Sequence, residues 1–268
     1  MARRKNPREP QPARRRPPQP APPPLPPETR TVGQLVAETI RLYGSRFWRS
    51  LALGIAPAAA GLILAEAPGA ARLPLAFTVA AAAASLSFAL ATGVVAKERL
   101  PRRRLAEATG IGVITLAPAI VLLGLLGIFG LLPAVMWLGF AGLVVPVITL
   151  EKRVSYRRAF ELARADLAHG IGSLATLALV GLLTAYVLFF TLRSAGTAAL
   201  RASAFLSVLV ISPLLFLGGA LLYYDQLARV GSAPRPRRRN ADVHPAVQSD
   251  RAGGADAQVE PRPAARGQ

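Results

Sequence analysis

TGIGVITLAPAIVLLGLLGIFGLLPAVMWLGFAGLVVPVITL, residues 109–150, is 42 residues long and carries no charged side chain; Glu107 stands before it and Glu151 closes it. The hydrocarbon core of a bilayer is about 30 Å thick, so a helical span needs about 20 apolar residues. One straight helix of this length would run roughly 63 Å at 1.5 Å per residue. The strong punctuation inside it is Gly130-Leu131-Leu132-Pro133, which leaves two halves of about one span each. The stretch therefore reads as a transmembrane helical hairpin, turning near Gly130–Pro133.

Outward from the hairpin, hydropathy and charge separate. The chain is 52% hydrophobic with positive mean hydropathy, yet its net charge is +18. The charge lies in the flanks and in two short connections. Residues 1–30 hold eight basic and two acidic side chains, and residues 229–268 hold eight and four. Residues 1–29 read as a disordered Pro/Arg-rich arm, because Arg14-Arg15-Arg16 and the prolines after it have no apolar periodicity to bury. Residues 229–268 read as a disordered charged tail. Between them, 30–228 is a membrane domain with spans at about 50–67, 74–96, 109–131, 133–150, 170–192 and 202–224, the last closed by Asp225.

Two segments have amphipathic helical spacing. Thr31-Val32-Gly33-Gln34 has the form of a capping box. After it, Val32, Leu35, Val36, Ile40, Tyr43 and Phe47 fall on one face, with Phe47-Trp48 as an aromatic anchor at the membrane interface. Packing beneath the bundle would use the same face. Between spans 4 and 5, Ser155 caps a helix that sets Tyr156, Ala159, Phe160, Ala163 and Leu167 opposite Arg157, Arg158, Glu161 and Arg164. The fold class is all-α: a polytopic six-span helical bundle with one interfacial helix before span 1 and another between spans 4 and 5. The small residues of span 2 place it at the centre, where helices in lipid pack closely; the Leu-rich spans 3 and 5 face more lipid.

The loops between spans 2 and 3 and between spans 4 and 5 hold ten Lys and Arg, whereas the opposite loops hold only Arg72, Arg193 and Arg201. By the positive-inside rule both termini are cytoplasmic. The bias to Arg and Ala fits a bacterial chain, and the localisation expected is the bacterial inner membrane.

Chemistry is sparse. Charge at the bilayer midplane costs about 2.5–3.5 kcal/mol even on the mildest scale, and the assigned spans carry none away from their ends. There is no cysteine, no His-Glu-x-x-His pair and no phosphate-binding loop. No catalytic residue, metal ligand or cofactor is expected, and nucleic acid is not expected either, since the basic flanks lack stacking aromatics. Gly124, Gly127 and Gly130 read as close packing of the hairpin, with a flexible or substrate-lining surface as the alternative. The candidate contacts with anionic headgroups are Arg102, Arg103, Arg104, Lys152, Arg153, Arg157, Arg158 and Arg164; the same charges also serve to set topology.

The segments Arg30–Phe47, Val145–Glu151, Tyr156-Arg-Arg-Ala-Phe-Glu-Leu-Ala-Arg164 and Leu222-Tyr-Tyr-Asp225 resemble bacterial six-span proteins grouped with the membrane domain of glycerophosphoryl diester phosphodiesterases. The likeness covers about residues 30–230. It implies a membrane module without the enzyme, because the hydrolase of that name works through a separate barrel of about 250 residues and about 40 follow the last span. The expected function is a non-catalytic inner-membrane protein, an envelope-associated scaffold or lipid-contacting module with membrane lipids and a protein partner of unknown identity. A transporter or permease for an apolar or amphipathic substrate is the alternative, and a membrane enzyme the third reading.

Overall fold

The computed structural model describes residues 29–151 and 155–232, and among these every regular element is helical. The domain assignments for residues 1–28 and 233–268 lie outside the described residues, as do Lys152 and Arg153. Five helical stretches among the described residues are long and apolar enough to cross a membrane: Phe47–Glu66, Gly69–Ala96, Arg102–Glu151, Leu167–Leu192 and Thr197–Gly231. Their outer faces carry large exposed apolar side chains, including Ile114, Leu132, Leu183 and Val187. A continuous apolar surface of this kind marks lipid contact. This is a membrane protein.

Helix α1 (Val32–Ser45) begins at the expected capping box, with the Thr31 and Gln34 side chains each accepting the other's backbone N–H. It buries Leu35, Val36 and Thr39, while Ile40 points out. The first apolar stretch is two helices, α2 (Phe47–Ala52) and α3 (Ile55–Glu66). The break between them falls at Leu53–Gly54. Pro57 sits in the first turn of α3, where its missing N–H leaves no bond unmade. The second stretch joins α4 (Gly69–Leu75), a π-helical turn (Ala76–Ala80) and α5 (Ala81–Ala96).

The 42-residue stretch folds back on itself. Helix α6 (Arg102–Leu126) ends at Gly127, whose φ of 57° and ψ of −130° suit glycine rather than an L side chain. A 3₁₀ turn (Gly127–Gly130) leads into α7 (Leu131–Ala141) and then α8 (Val144–Glu151). A Cβ on Gly130 would drive into the Leu122 carbonyl, so two of the three spaced glycines build the turn while Gly124 has open space around it. The returning half lies along the first: Trp137 Nε1 donates to the Thr115 carbonyl at 2.7 Å, and Gly112 faces Val145.

Helix α9 (Tyr156–Ala165) starts at Ser155, whose hydroxyl accepts the Arg158 N–H at 3.2 Å. It buries Ala159, Leu162 and Ala163 and leaves the aromatic Tyr156 and Phe160 outside. Helices α10 (Leu167–Leu192) and α11 (Thr197–Ser232) pack antiparallel, Gly181 against Ile211 and Gly218 against Leu177. The most apolar 18 residues of Gly69–Ala96 are 44% buried against 17% for those of Leu167–Leu192, in line with the small-residue argument for its central place. Helix α11 shares that centre equally, stacking Phe216 on Phe88 of α5 at 5.9 Å.

Two boundaries differ from expectation. Arg102, Arg103 and Arg104 are the first turn of α6 after Pro101, not part of a loop. Three cations at a helix N-terminus oppose the helix dipole, and Arg103 offsets this by pairing with Glu107 at 2.9 Å. Asp225 does not end the last helix either; α11 continues through Ser232.

Candidate functional site

The end of the bundle that carries α1 and α9 holds a buried polar network. Asp225 sits on α11 with no exposed surface, and Arg30, just before α1, reaches it at 3.1 Å. The His169 Nε2 atom lies 3.6 Å from the other Asp225 oxygen. Asp166 caps α10 by accepting the His169 N–H at 2.9 Å and also binds the Arg229 guanidinium. Arg229 donates to the Arg30 carbonyl at 2.8 Å, and Gln226 donates to the Asp166 carbonyl at 2.9 Å. On the neighbouring face of α11, the Tyr223 hydroxyl donates to Glu151 at 3.0 Å, and Arg158 approaches the same carboxylate at 3.5 Å.

Arg30 meets Asp225, and Glu151 meets Tyr223 and Arg158, so segments far apart in the chain come together on α11. Sequence reasoning placed Glu151 and Asp225 at span ends, Arg30 ahead of the first amphipathic helix and Arg158 on the second, but missed which of them meet. The available signal was Asp225 four residues before Arg229, a spacing that puts both on one helical face. Chemically the set fixes charges in place. Ser173, one turn beyond His169, is buried with its hydroxyl unbonded, so no nucleophile–base contact forms there.

The basic residues read as lipid contacts fall into two separate groups. Arg102, Arg103 and Arg104 open α6, whereas Arg157, Arg158 and Arg164 lie on α9. Arg103, Arg157 and Arg158 are each paired with a glutamate of their own neighbourhood. No ion pair or hydrogen bond among the described residues joins the two groups.

Two hollows complete the candidate surfaces. A groove of about 550 Å³ opens between α2 and the end of α5, lined by Arg46, Arg49, Lys97 and Arg99. None of these four is among the lipid contacts read from sequence. Deeper along the bundle, a cavity of about 150 Å³ is lined wholly by apolar residues and glycine, among them Phe88, Leu116, Leu138, Leu174 and Phe216. An apolar hollow of that size stays dry and accepts a small hydrophobic molecule.

No family model matches the chain, and neither a curated protein nor a solved structure proved similar to it.

Proposed function

We propose that the chain is a non-catalytic, six-span protein of the bacterial inner membrane with both termini cytoplasmic, acting as a lipid-contacting scaffold through its basic end. The observation that carries this reading is the grouping of charge. Arg46, Arg49, Lys97, Arg99 and the α9 arginines gather at the end where Arg46 meets the Val94 carbonyl and Glu151 meets Tyr223. The far end has Arg72 bonded to the Ala67 carbonyl, Arg193 over Phe190 and Arg201 paired with Glu66. Basic residues beside spans favour the cytoplasmic leaflet, where anionic lipid adds about 1 kcal/mol per Lys or Arg near the surface. The antiparallel run of α7–α8 along α6 supports two spans within Arg102–Glu151, hence six. The resemblance to the membrane domain of glycerophosphoryl diester phosphodiesterases supports a module of the same kind.

The chain has no native cysteine, so single cysteines report topology cleanly. Leu132→Cys should label from the periplasmic side and Ala106→Cys from the cytoplasm; labelling of both from one side overturns the hairpin. Lipid extracted with the purified protein should be enriched in anionic species, and lipid of bulk composition would sink the lipid-contact reading.

The apolar cavity favours a second reading, a permease for a hydrophobic substrate. Displacement of a hydrophobic fluorophore from the purified chain, abolished by Ala134→Trp at the cavity wall, would support it.

A further inference from the structure

The groove between α2 and the end of α5 combines three features. Its cations outnumber its single carboxylate, Glu98, by four to one. Arg49, Lys97 and Arg99 are exposed, and none of the four cations makes an ion pair with a described residue. Arg46 is anchored by its 3.0 Å bond to the Val94 carbonyl, so the groove's wall is held in place. Leu90 and Leu100 line the same groove with hydrocarbon. Beside it, Phe47 and Trp48 stand 44% and 79% exposed in an edge-to-face pair.

Position decides what such a groove meets. The first apolar stretch begins at Phe47 and the second ends at Ala96, so the cations flank a membrane boundary from both sides. Exposed Trp is the residue that settles at that boundary. Lys97 adds a backbone observation. It is the only non-glycine residue with positive φ among those described, at 57°, and it closes α5 by donating to the Val94 carbonyl while Glu98 donates to Gly93. Glycine is the ordinary residue at that left-handed position; a lysine there supplies a charge to the groove that glycine would not.

We propose that this groove seats an anionic phospholipid, its phosphate between Arg46, Arg49, Lys97 and Arg99 and an acyl chain along Leu90. A soluble phosphate would use the cations alone; the hydrocarbon wall and the aromatic rim match the rest of a lipid. The proposal rests on the reading that this end of the bundle contacts anionic lipid, and it names the site.

The test uses the full chain with Trp137→Phe, which leaves Trp48 as its one remaining tryptophan. The protein is reconstituted in vesicles of phosphatidylcholine and phosphatidylglycerol in equal amounts, with brominated chains on one lipid or the other. Brominated phosphatidylglycerol should quench Trp48 with an apparent preference of about fivefold. The triple substitution Arg49→Gln, Lys97→Gln and Arg99→Gln should bring that preference to about one while the protein stays folded, because none of the three side chains pairs with a described residue. Equal quenching by the two lipids, or a preference kept in the triple variant, overturns the site. So does inorganic phosphate that removes the preference at millimolar concentration, since the ligand is then a soluble ion. If Trp137→Phe fails to fold, native mass spectrometry of the unsubstituted chain and its triple variant counts retained phosphatidylglycerol instead, and equal counts have the same force. Anionic lipid enriched to equal extent with parent and triple variant would leave the general reading standing and remove the groove. No enrichment with the parent would remove both.

Discussion

At the basic end of the bundle, two groups of charged side chains stand under opposite constraints. Around Asp225 every carboxylate has a cation: Arg30 for Asp225, Arg229 for Asp166, Arg158 for Glu151. Between α2 and α5, four cations share one carboxylate and make no ion pair among the described residues. Buried charge survives only where it is paired and hydrogen-bonded, so the first group is the form that charge takes when it holds helices together. In the second group only Arg46 has an internal use, its bond to the Val94 carbonyl. A membrane protein that tolerates such a group exposes it to something negative. Paired charge therefore reports on assembly, and unpaired charge on what the assembly meets.

Substitutions should split along the same line. The largest effect expected is Asp225→Ala, which leaves Arg30 and His169 beside an empty position and should destabilise the fold by about 3 kcal/mol. Thermal unfolding in detergent reads this, and adding Arg30→Ala should recover part of the loss. A shift in lipid selectivity with unchanged stability would break the division between the two groups. Tyr223→Phe removes the 3.0 Å donor to Glu151; a hydrogen bond to a charged group implies a loss of about 1.5 kcal/mol, measured in the same way. Lys97→Gly should move the other way, raising stability by about 1 kcal/mol through relief of the left-handed backbone. The same change should lower the preference of Trp48 for phosphatidylglycerol, so stability and binding part company at one residue. Arg157→Gln, which breaks an exposed pair with Glu161 on the outside of α9, should cost about 0.3 kcal/mol, near the limit of detection.

These contrasts also mark how far the sequence could be read. The hairpin was legible because 42 uncharged residues have no other economical solution and because Gly130 and Pro133 interrupt them. Both helix caps, Thr31 and Ser155, were legible because capping is local. The network was not, since Arg30 and Asp225 are 195 residues apart and no periodicity encodes which helix ends become neighbours. The groove escaped for a related reason. Its cations come from two segments, 46–49 and 97–99, and neither has the density of Arg102-Arg103-Arg104 that drew the first assignment. Within that dense run Arg103 is paired with Glu107 four residues away. The apolar faces read for α1 and α9 are divided in the fold: Leu35, Val36, Ala159, Leu162 and Ala163 are buried, whereas Ile40, Tyr156 and Phe160 point out.

The bond between Arg30 and Asp225 sets an order of events at the ribosome. Arg30 is made near the beginning and Asp225 near the end of the membrane domain, so α1 has to wait through every intervening insertion before its partner exists. Until then Thr39 of α1 has no Gly218 of α11 to lie against. The last helix is thus the keystone: an emerging chain stopped before residue 225 holds the parts of a bundle that nothing has yet locked.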